Sequence, residues 1–154
     1  MQNEERNKNF KNTLYRLIEL EALPIINEND TIATDEIVIG DNDTLGAIVA
    51  TSANADLLIL LSDIDGLYTE DPHKNPNASL LHEVDEITDE IIAMTGGSAT
   101  QLGTGGMQTK LHAAQITTQE GIEMVIANGN NPEILYNIVN GENVGTRFKA
   151  RNHQ

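Results

Sequence analysis

The sequence contains no cysteine, which excludes disulfide bonds and thiolate metal sites and is typical of a cytoplasmic protein. Aromatic residues make up only 3% of the chain, so a core has to be built from Ile, Leu, Val and Ala. No apolar run is long enough to cross a bilayer, and no secretory signal opens the chain, because residues 1–5 read MQNEE. These absences argue against secreted and membrane-spanning proteins.

Basic residues are also scarce: 9 Lys and Arg stand against 24 Asp and Glu, and the net charge is −15. A chain this acidic is not expected to bind nucleic acid or anionic membranes. A calcium-binding loop aligned on Asp41 and Asp43 fails, because Leu45 and Ser52 would stand where oxygen ligands are required. The histidines are scattered without the spacing of metal ligands: His73, His82, His112 and His153.

Hydrophobic residues nevertheless make up 39% of the chain, which is enough for one folded domain over residues 1–154 with a frayed tail at 149–154. Helix-like and strand-like segments alternate, which predicts an α/β fold with a mainly parallel sheet and helices on both faces. The run 56–63 is apolar on both faces and is predicted to be a central parallel strand. The predicted helices are 3–22, 43–53, 88–94, 107–120 and 132–139; the predicted strands are 23–26, 36–40, 56–63, 81–87, 124–127 and 144–148.

A glycine-rich loop at 103–106 leads into the predicted helix that carries Lys110. Backbone N–H groups, a helix N-terminus and a lysine together favour a bound phosphate. The pattern is neither a Walker loop, since Thr109 precedes Lys110, nor a Rossmann loop, which requires glycine at the position of Gln108. The alternative interpretation is a flexible surface connection.

Three polar clusters follow strand-like runs, at 27–31, 41–44 and 62–66. Ligands of open α/β sheets bind outside the carboxyl ends of the strands, so these clusters and the glycine loop predict one crevice. Each cluster has a simpler interpretation: 27–31 as a turn, Asp43 as a helix cap, and 63–66 as a strand-to-helix connection. No Ser/His/Asp arrangement is recognisable, so nucleophilic hydrolysis is not supported.

Several segments taken together resemble the glutamate 5-kinases of the amino acid kinase family, in order from about Asn12 to Phe148. The resemblance implies ATP-dependent phosphorylation of the γ-carboxylate of L-glutamate, the first step of proline synthesis, with Mg²⁺ accompanying ATP. The segments that carry it are 25–30 (IINEND), 40–43 (GDND), 61–63 (LSD), 66–72 (GLYTEDP) and 103–110 (GTGGMQTK).

The resemblance also implies roles for individual residues. Asp30 and Asn42 would bind glutamate, and Ser62 and Asp63 would lie in the ATP site. Lys110 would neutralise charge on the transferring group, and Asp43 would organise the catalytic lysines. The residues implied to line the ATP phosphates are Thr104, Gly105, Gly106, Met107, Gln108, Thr109 and Lys110.

One departure from the family pattern shapes the remaining expectations. Members begin with a strand and a glycine loop bearing another phosphate-binding lysine, and the matching part of this chain starts at a later helix. We therefore expect the C-terminal part of a kinase domain, without a PUA domain, that has little activity alone. An incomplete sheet would expose an edge, which predicts a homo-oligomer or a loosely packed monomer. The alternatives are an amino acid kinase with another acceptor and a non-catalytic binding module.

Overall fold

The structure, a computed structural model, describes residues 2–27, 41–95 and 106–151. Within these ranges helices and strands alternate along most of the chain, as the sequence predicts. In chain order they are α1 (Gln2–Glu19), α2 (Asn42–Ala53), β1 (Leu57–Ser62), β2 (Glu83–Val84), α3 (Asp89–Met94), α4 (Met107–Gln119), β3 (Glu123–Asn128), α5 (Ile134–Val139) and β4 (Thr146–Phe148).

The described strands form one mixed sheet in the order β1-β3-β4-β2. Strands β1 and β3 are parallel, with Leu57 opposite Glu123 and Ser62 opposite Asn128. Strands β2 and β4 are also parallel, whereas β3 and β4 run antiparallel. The prediction of a mainly parallel sheet is confirmed. Strand β1 stands at the end of this order, so its predicted central position does not hold within the described residues.

Helices cover both faces of the sheet, as predicted. Alternate side chains of β3 point to opposite faces: Met124 and Ile126 pack into a cluster with residues of α2 and α4, such as Ala47 and Leu111. Val125 and Ala127 pack on the other face, in a cluster that includes residues of α5. Strand β3 is therefore the centre of the core, because its apolar side chains are buried on both faces.

The directions of α2 and α4 decide where a ligand can bind. Asn54, whose backbone is in the left-handed conformation, caps the C-terminus of α2 only a few residues before β1 begins. The same short connection joins α4 to β3, and a 230 Å³ groove lies between the two helix ends, lined by Thr51, Asn54, Glu120 and Gly121 among others. Both helices thus end at the amino edge of the sheet. Their N-termini lie at the carboxyl edge.

An excursion between β1 and β2 folds back as an irregular hairpin. Tyr68 and Leu80 form an antiparallel bridge, and a chain of turns closes the tip at 71–78. The buried Thr146 hydroxyl joins this hairpin to β4, because it accepts a hydrogen bond from the Leu67 N–H at 2.8 Å and donates one to the Leu81 carbonyl. One side chain of β4 therefore fixes both arms of the hairpin.

The predicted strand at 23–26 is wrong. Residues 22–27 form no strand, and 86% of Leu23 and 89% of Ile25 are exposed. Pro24 has no backbone N–H to give to a ladder, and the segment folds back on α1, where the Ala22 N–H donates to the Leu17 carbonyl at 2.9 Å. The apolar run lies along a helix instead of inside a sheet.

Other boundaries differ less. The strand predicted at 81–87 is reduced to the two residues of β2, and α5 begins at Ile134, two residues after Pro132. The predicted strand 36–40 lies outside the described residues, as does 152–154 of the predicted frayed tail. Within that tail the Lys149 and Arg151 N–H groups donate to the carbonyls of Val84 and Thr118.

None of the helices in the described ranges combines the length and the apolar character needed to span a bilayer.

Candidate active site

A buried ion pair joins the N-termini of α2 and α4. The Lys110 Nζ lies 3.0 Å from Asp43 Oδ2 and 3.2 Å from Oδ1, so the ammonium contacts both carboxylate oxygens. Only 13% of the lysine side chain and 19% of the aspartate side chain are exposed. Residues 67 positions apart in the sequence therefore meet at the carboxyl edge of the sheet.

Asp43 is not the cap of α2. Asp41 occupies that position: its carboxylate accepts the Thr44 N–H at 2.7 Å and the Thr44 hydroxyl at 2.9 Å. Asp43 lies in the first turn and directs its carboxylate across to α4. Of the two interpretations offered by the sequence, the capping role belongs to the neighbouring aspartate.

Thr109 completes the contact between the two helices. Its hydroxyl lies 2.6 Å from Asp43 Oδ2 and 2.9 Å from the Gly106 carbonyl, so its one hydrogen is shared between two acceptors. The Thr109 side chain is buried between the two helices. Asp43 consequently receives hydrogen bonds from two consecutive residues of α4, which fixes its orientation.

The electrostatics of this end of the molecule favour an anion. The N-termini of two helices carry partial positive charge, and Gly106, at the cap of α4 with φ of 73°, leaves the approach to the backbone free of a side chain. Lys110 adds a full positive charge in the first turn of α4, where the helix dipole disfavours a cation. Asp43 offsets that cost. A phosphate group placed here would meet an oriented ammonium and helix N–H groups.

Other predicted site residues lie along the same edge. Ser62 ends β1, and its hydroxyl donates to Asp63 Oδ1 at 3.2 Å. The Ser62 carbonyl accepts the Gly129 N–H at 2.8 Å, so the ends of β1 and β3 are tied together. Asn42 is exposed at the start of α2, next to Asp43. Met107 and Gln108 form the first turn of α4 with Thr109 and Lys110.

The structure thus joins the 41–44 cluster to the helical end of the glycine loop through Asp43, and it places the 62–66 cluster along the same edge of the sheet. Asp30 and the remainder of the first cluster lie outside the described residues. So do Thr104 and Gly105, together with the rest of the predicted phosphate loop up to 105.

Sequence reasoning did not single out a group of three side chains at the ends of β1 and β3. Asp65 Oδ1 accepts a hydrogen bond from Asn128 Nδ2 at 2.9 Å, and Asp65 Oδ2 accepts one from the Tyr68 hydroxyl at 3.1 Å. Removal from water and this contact with the Asp65 carboxylate raise the pKa of the Tyr68 phenol. The sequence does contain a signal for Asn128, because this polar residue directly follows the apolar run 124–127.

The described residues contain no group of three or more His, Asp or Glu side chains arranged to hold a metal ion. Carboxylates at the carboxyl edge of the described sheet occur singly or are already paired. A metal that arrives with a phosphate ligand needs only one or two protein carboxylates, so this donor set fits Mg²⁺ bound with a nucleotide.

Comparison with known proteins identifies relatives of the chain. The profile of the amino acid kinase family matches residues 1–128. A glutamate 5-kinase of Clostridium perfringens is 52% identical over 98% of this chain and 58% of its own length. A glutamate 5-kinase of Pasteurella multocida is 47% identical over 98% of this chain, which here spans 41% of the relative. The chain therefore spans about half the length of these relatives.

A solved structure agrees with these matches. The carbamate kinase of Giardia lamblia bound to AMP-PNP superposes with a TM-score of 0.55 and 26% sequence identity, over 84% of this chain and 42% of that one. The mixed sheet, the paired helix N-termini at its carboxyl edge and the profile match over most of the sequence lead to one conclusion: this chain belongs to the amino acid kinase family.

Proposed function

We propose that the chain forms part of an enzyme that transfers the γ-phosphoryl group of ATP to the γ-carboxylate of L-glutamate, the first step of proline synthesis. The relatives that match nearly the whole chain carry the name glutamate 5-kinase, which supports this acceptor. ATP as the donor is supported by the same names and by the kinase fold, of which one solved member holds AMP-PNP.

The observation that carries the proposal is the Lys110–Asp43 pair. Phosphoryl transfer depends on positioning and on neutralising the charge that spreads over the phosphate oxygens, far more than on covalent chemistry by the protein. A lysine held by two oxygens of a buried carboxylate is already oriented before substrate binds. We assign Lys110 the role of neutralising the transferring group, and Asp43 the role of holding Lys110.

The chemistry of the acceptor agrees with these residues. A γ-carboxylate is ionised at neutral pH, so its oxygen attacks the γ-phosphorus without losing a proton. The new P–O bond forms as the bond to the β–γ bridging oxygen breaks, and ADP leaves. No general base is needed for this step. The requirement falls on cations and backbone N–H groups, which Lys110 and the start of α4 supply.

The remaining roles extend from this pair. We propose that Ser62, Asp63 and residues 104–110 contact ATP, and that Asn42 with Asp30 binds glutamate. The Asn42 carboxamide is exposed beside Asp43 and offers both a donor and an acceptor. Mg²⁺ would be held mainly by the phosphate oxygens and would neutralise charge on the β- and γ-phosphates.

Homo-oligomerisation and a cytoplasmic location, where ATP and free glutamate are available, are also part of the proposal. Exposed apolar side chains just after α1 support the first point: Leu20, Leu23 and Ile25. Sedimentation equilibrium of the chain checks it, and a compact monomer over a wide concentration range would contradict it.

A chimera tests the reaction itself. In this chimera the chain replaces the matched region of the Clostridium perfringens relative, and the unaltered relative serves as the positive control. γ-Glutamyl phosphate is trapped with hydroxylamine and ADP is measured in parallel, with glutamate, aspartate, carbamate and UMP as acceptors. We expect hydroxamate and ADP in equal amounts with glutamate alone. A preference for another acceptor would assign a different amino acid kinase activity.

A chimera that is folded and binds ATP, yet phosphorylates no acceptor while the relative is active, would show that the chain is a non-catalytic binding module. The Lys110→Ala chimera checks that any activity arises at the described site. Unchanged turnover in that variant would remove the lysine from the mechanism.

A further inference from the structure

Asp65 joins the connection after β1 to the end of β3 at the carboxyl edge. It lies just after β1, and its two carboxylate oxygens accept hydrogen bonds from Tyr68 in the hairpin and from Asn128 at the end of β3. The Asn128 side-chain oxygen in turn accepts the Asn130 N–H at 3.0 Å. One carboxylate thereby orients a phenol and a carboxamide that come from different parts of the chain.

The backbone around this group is held firmly. Tyr68 is bridged to Leu80 across the hairpin, and the Gly129 N–H donates to the Ser62 carbonyl. A Cβ on Gly129 would lie only 3.0 Å from the Leu61 Cβ, so the turn after β3 approaches β1 as closely as a glycine allows. The Tyr68 hydroxyl is the donor to Asp65, and this contact is one cause of the raised pKa of the phenol.

The two described halves of the carboxyl edge differ in chemistry. At the start of α4, Lys110 and helix N–H groups suit phosphate oxygens. At the ends of β1 and β3, a partly buried aromatic ring and a carboxamide suit a flat heterocycle with hydrogen-bonding edges. A nucleotide with its phosphates at Lys110 and its length along this edge would place its nucleoside against the second half.

We propose that Asp65 is a positioning residue for the nucleoside end of the bound nucleotide, acting through Tyr68 and Asn128. The inference rests on the proposed function, because it requires that a nucleotide binds at this edge. The role assigned to Asp65 is indirect: each of its oxygens accepts a hydrogen bond from one of the two partners, and its negative charge would repel phosphate. Its contribution is the fixed orientation of its two partners.

Calorimetry with the full chain tests the proposal with two probes, Mg·AMP-PNP and Mg·tripolyphosphate. Tripolyphosphate has the phosphates but no base or ribose. We expect Asp65→Ala to weaken AMP-PNP binding about tenfold, the size expected for loss of orientation of one or two stacking or hydrogen-bonding groups, and to leave tripolyphosphate binding unchanged. Lys110→Ala should weaken both probes. Asp85→Ala, at an exposed aspartate away from this edge, is the matched control and should weaken neither.

One further variant keeps the test valid if Asp65→Ala is unstable, and a second tests the coupling between Asp65 and Tyr68. Asp65→Asn retains an acceptor for Asn128 and should restore most of the AMP-PNP affinity. Combining Asp65→Ala with Tyr68→Phe should cost less than the sum of the single changes, because the two residues act through one hydrogen bond. The Tyr68 phenol, followed by its ultraviolet absorbance against a Tyr68→Phe blank, should titrate at a lower pH in Asp65→Asn.

The outcomes separate the two proposals. If neither the chain nor the chimera binds either probe while the unaltered relative binds AMP-PNP, the nucleotide site of the proposed function is wrong. If it binds AMP-PNP and Asp65→Ala binds equally well, the positioning role is overturned. Equal weakening of both probes by Asp65→Ala would also overturn it, because that result indicates a general loss of structure at the edge.

Discussion

Two ion pairs at opposite edges of the sheet differ in how well the helix dipoles tolerate their cations, and this difference bears on the role proposed for Lys110. At the amino edge, Arg147 Nη1 lies 2.7 Å from Glu123 Oε2, and Arg147 Nη2 donates to the Ile138 carbonyl in the last turn of α5 at 3.1 Å. A cation at the C-terminus of a helix is favoured by the backbone dipoles. Every contact of Arg147 described here therefore adds to stability.

At the carboxyl edge, Lys110 stands in the first turn of α4, where those dipoles oppose a cation, and it is more deeply buried than Arg147. Among the residues that the structure describes, Asp43, itself well placed in the first turn of α2, forms the ion pair with Lys110 that offsets this cost. A fold selected for stability alone would gain little by keeping this lysine. The difference supports the proposed ligand-binding role of Lys110 and a structural role for Arg147.

The largest expected effect tests the first half of this comparison. Lys110→Ala in the chimera should lower kcat about 100-fold or more, the usual consequence of losing a preorganised charge at a transition state. Its thermal midpoint should fall little, because the change also removes an unfavourably placed cation. Lys149→Ala, at an exposed pair with Glu83, is the matched lysine control and should leave kcat unchanged. A large loss of stability in Lys110→Ala would place the pair among the structural contacts.

The two aspartates of α2 provide the next test. Asp43→Asn removes the charge that orients Lys110 and should lower kcat about 10- to 100-fold, because small misplacements of a catalytic group are costly. Asp41→Ala removes the helix cap and should reduce the free energy of unfolding by about 1 kcal/mol with nearly normal kcat. Urea denaturation and steady-state kinetics of both variants check this separation. Exchanged phenotypes would mean that the roles of the two residues are reversed.

A smaller effect is expected at the amino edge. Arg147→Met keeps much of the side-chain volume but leaves the Glu123 carboxylate and the Ile138 carbonyl without their donor. We expect a loss of about 1–2 kcal/mol in the free energy of unfolding, measured by urea denaturation, with AMP-PNP affinity unchanged. Weaker nucleotide binding in this variant would contradict the division between the two edges.

The smallest effect belongs to the exposed pair at the tip of the hairpin. The Lys74 ammonium, 3.1 Å away, and the His73 N–H hold the pKa of Asp71 below its ordinary value of 3.8. A lowered pKa in the folded state adds stability above the unfolded-state value, and that contribution is lost as the pH falls through the folded-state pKa. In Lys74→Gln the Asp71 carboxyl, followed by NMR, should titrate closer to its ordinary value. An unchanged titration would show that the His73 N–H alone sets it.

Much of the fold follows from the sequence, since most of the predicted helices and strands recur in the described ranges. The error at 23–26 has a physical cause: a short apolar run looks the same whether it enters a sheet or packs along a helix, and only long-range contacts decide. The site was less predictable. The polar cluster at 41–44 and the family resemblance indicated that Asp43 matters. Only the structure shows that Asp41 caps α2 and that Asp43 reaches α4, because that depends on where the helices begin.

The Asp65 group shows a different limit. Asp65 and Tyr68 are only three positions apart, but Asn128 reaches them only after the parallel pairing of β1 with β3 brings Ser62 opposite Asn128. No spacing rule within one segment could have joined them.

The hairpin tip offers a practical consequence of the missing cysteine. Residues 71–77 form exposed turns, while the arms of the hairpin are fastened to β4 through the Thr146 hydroxyl. A single Asn77→Cys replacement would give the chain its only thiol. The thiol would lie in the exposed turns at the tip of the hairpin, outside the core. A fluorophore attached there would lie on the same hairpin as Tyr68. Its emission would therefore report in real time when a ligand binds at the carboxyl edge.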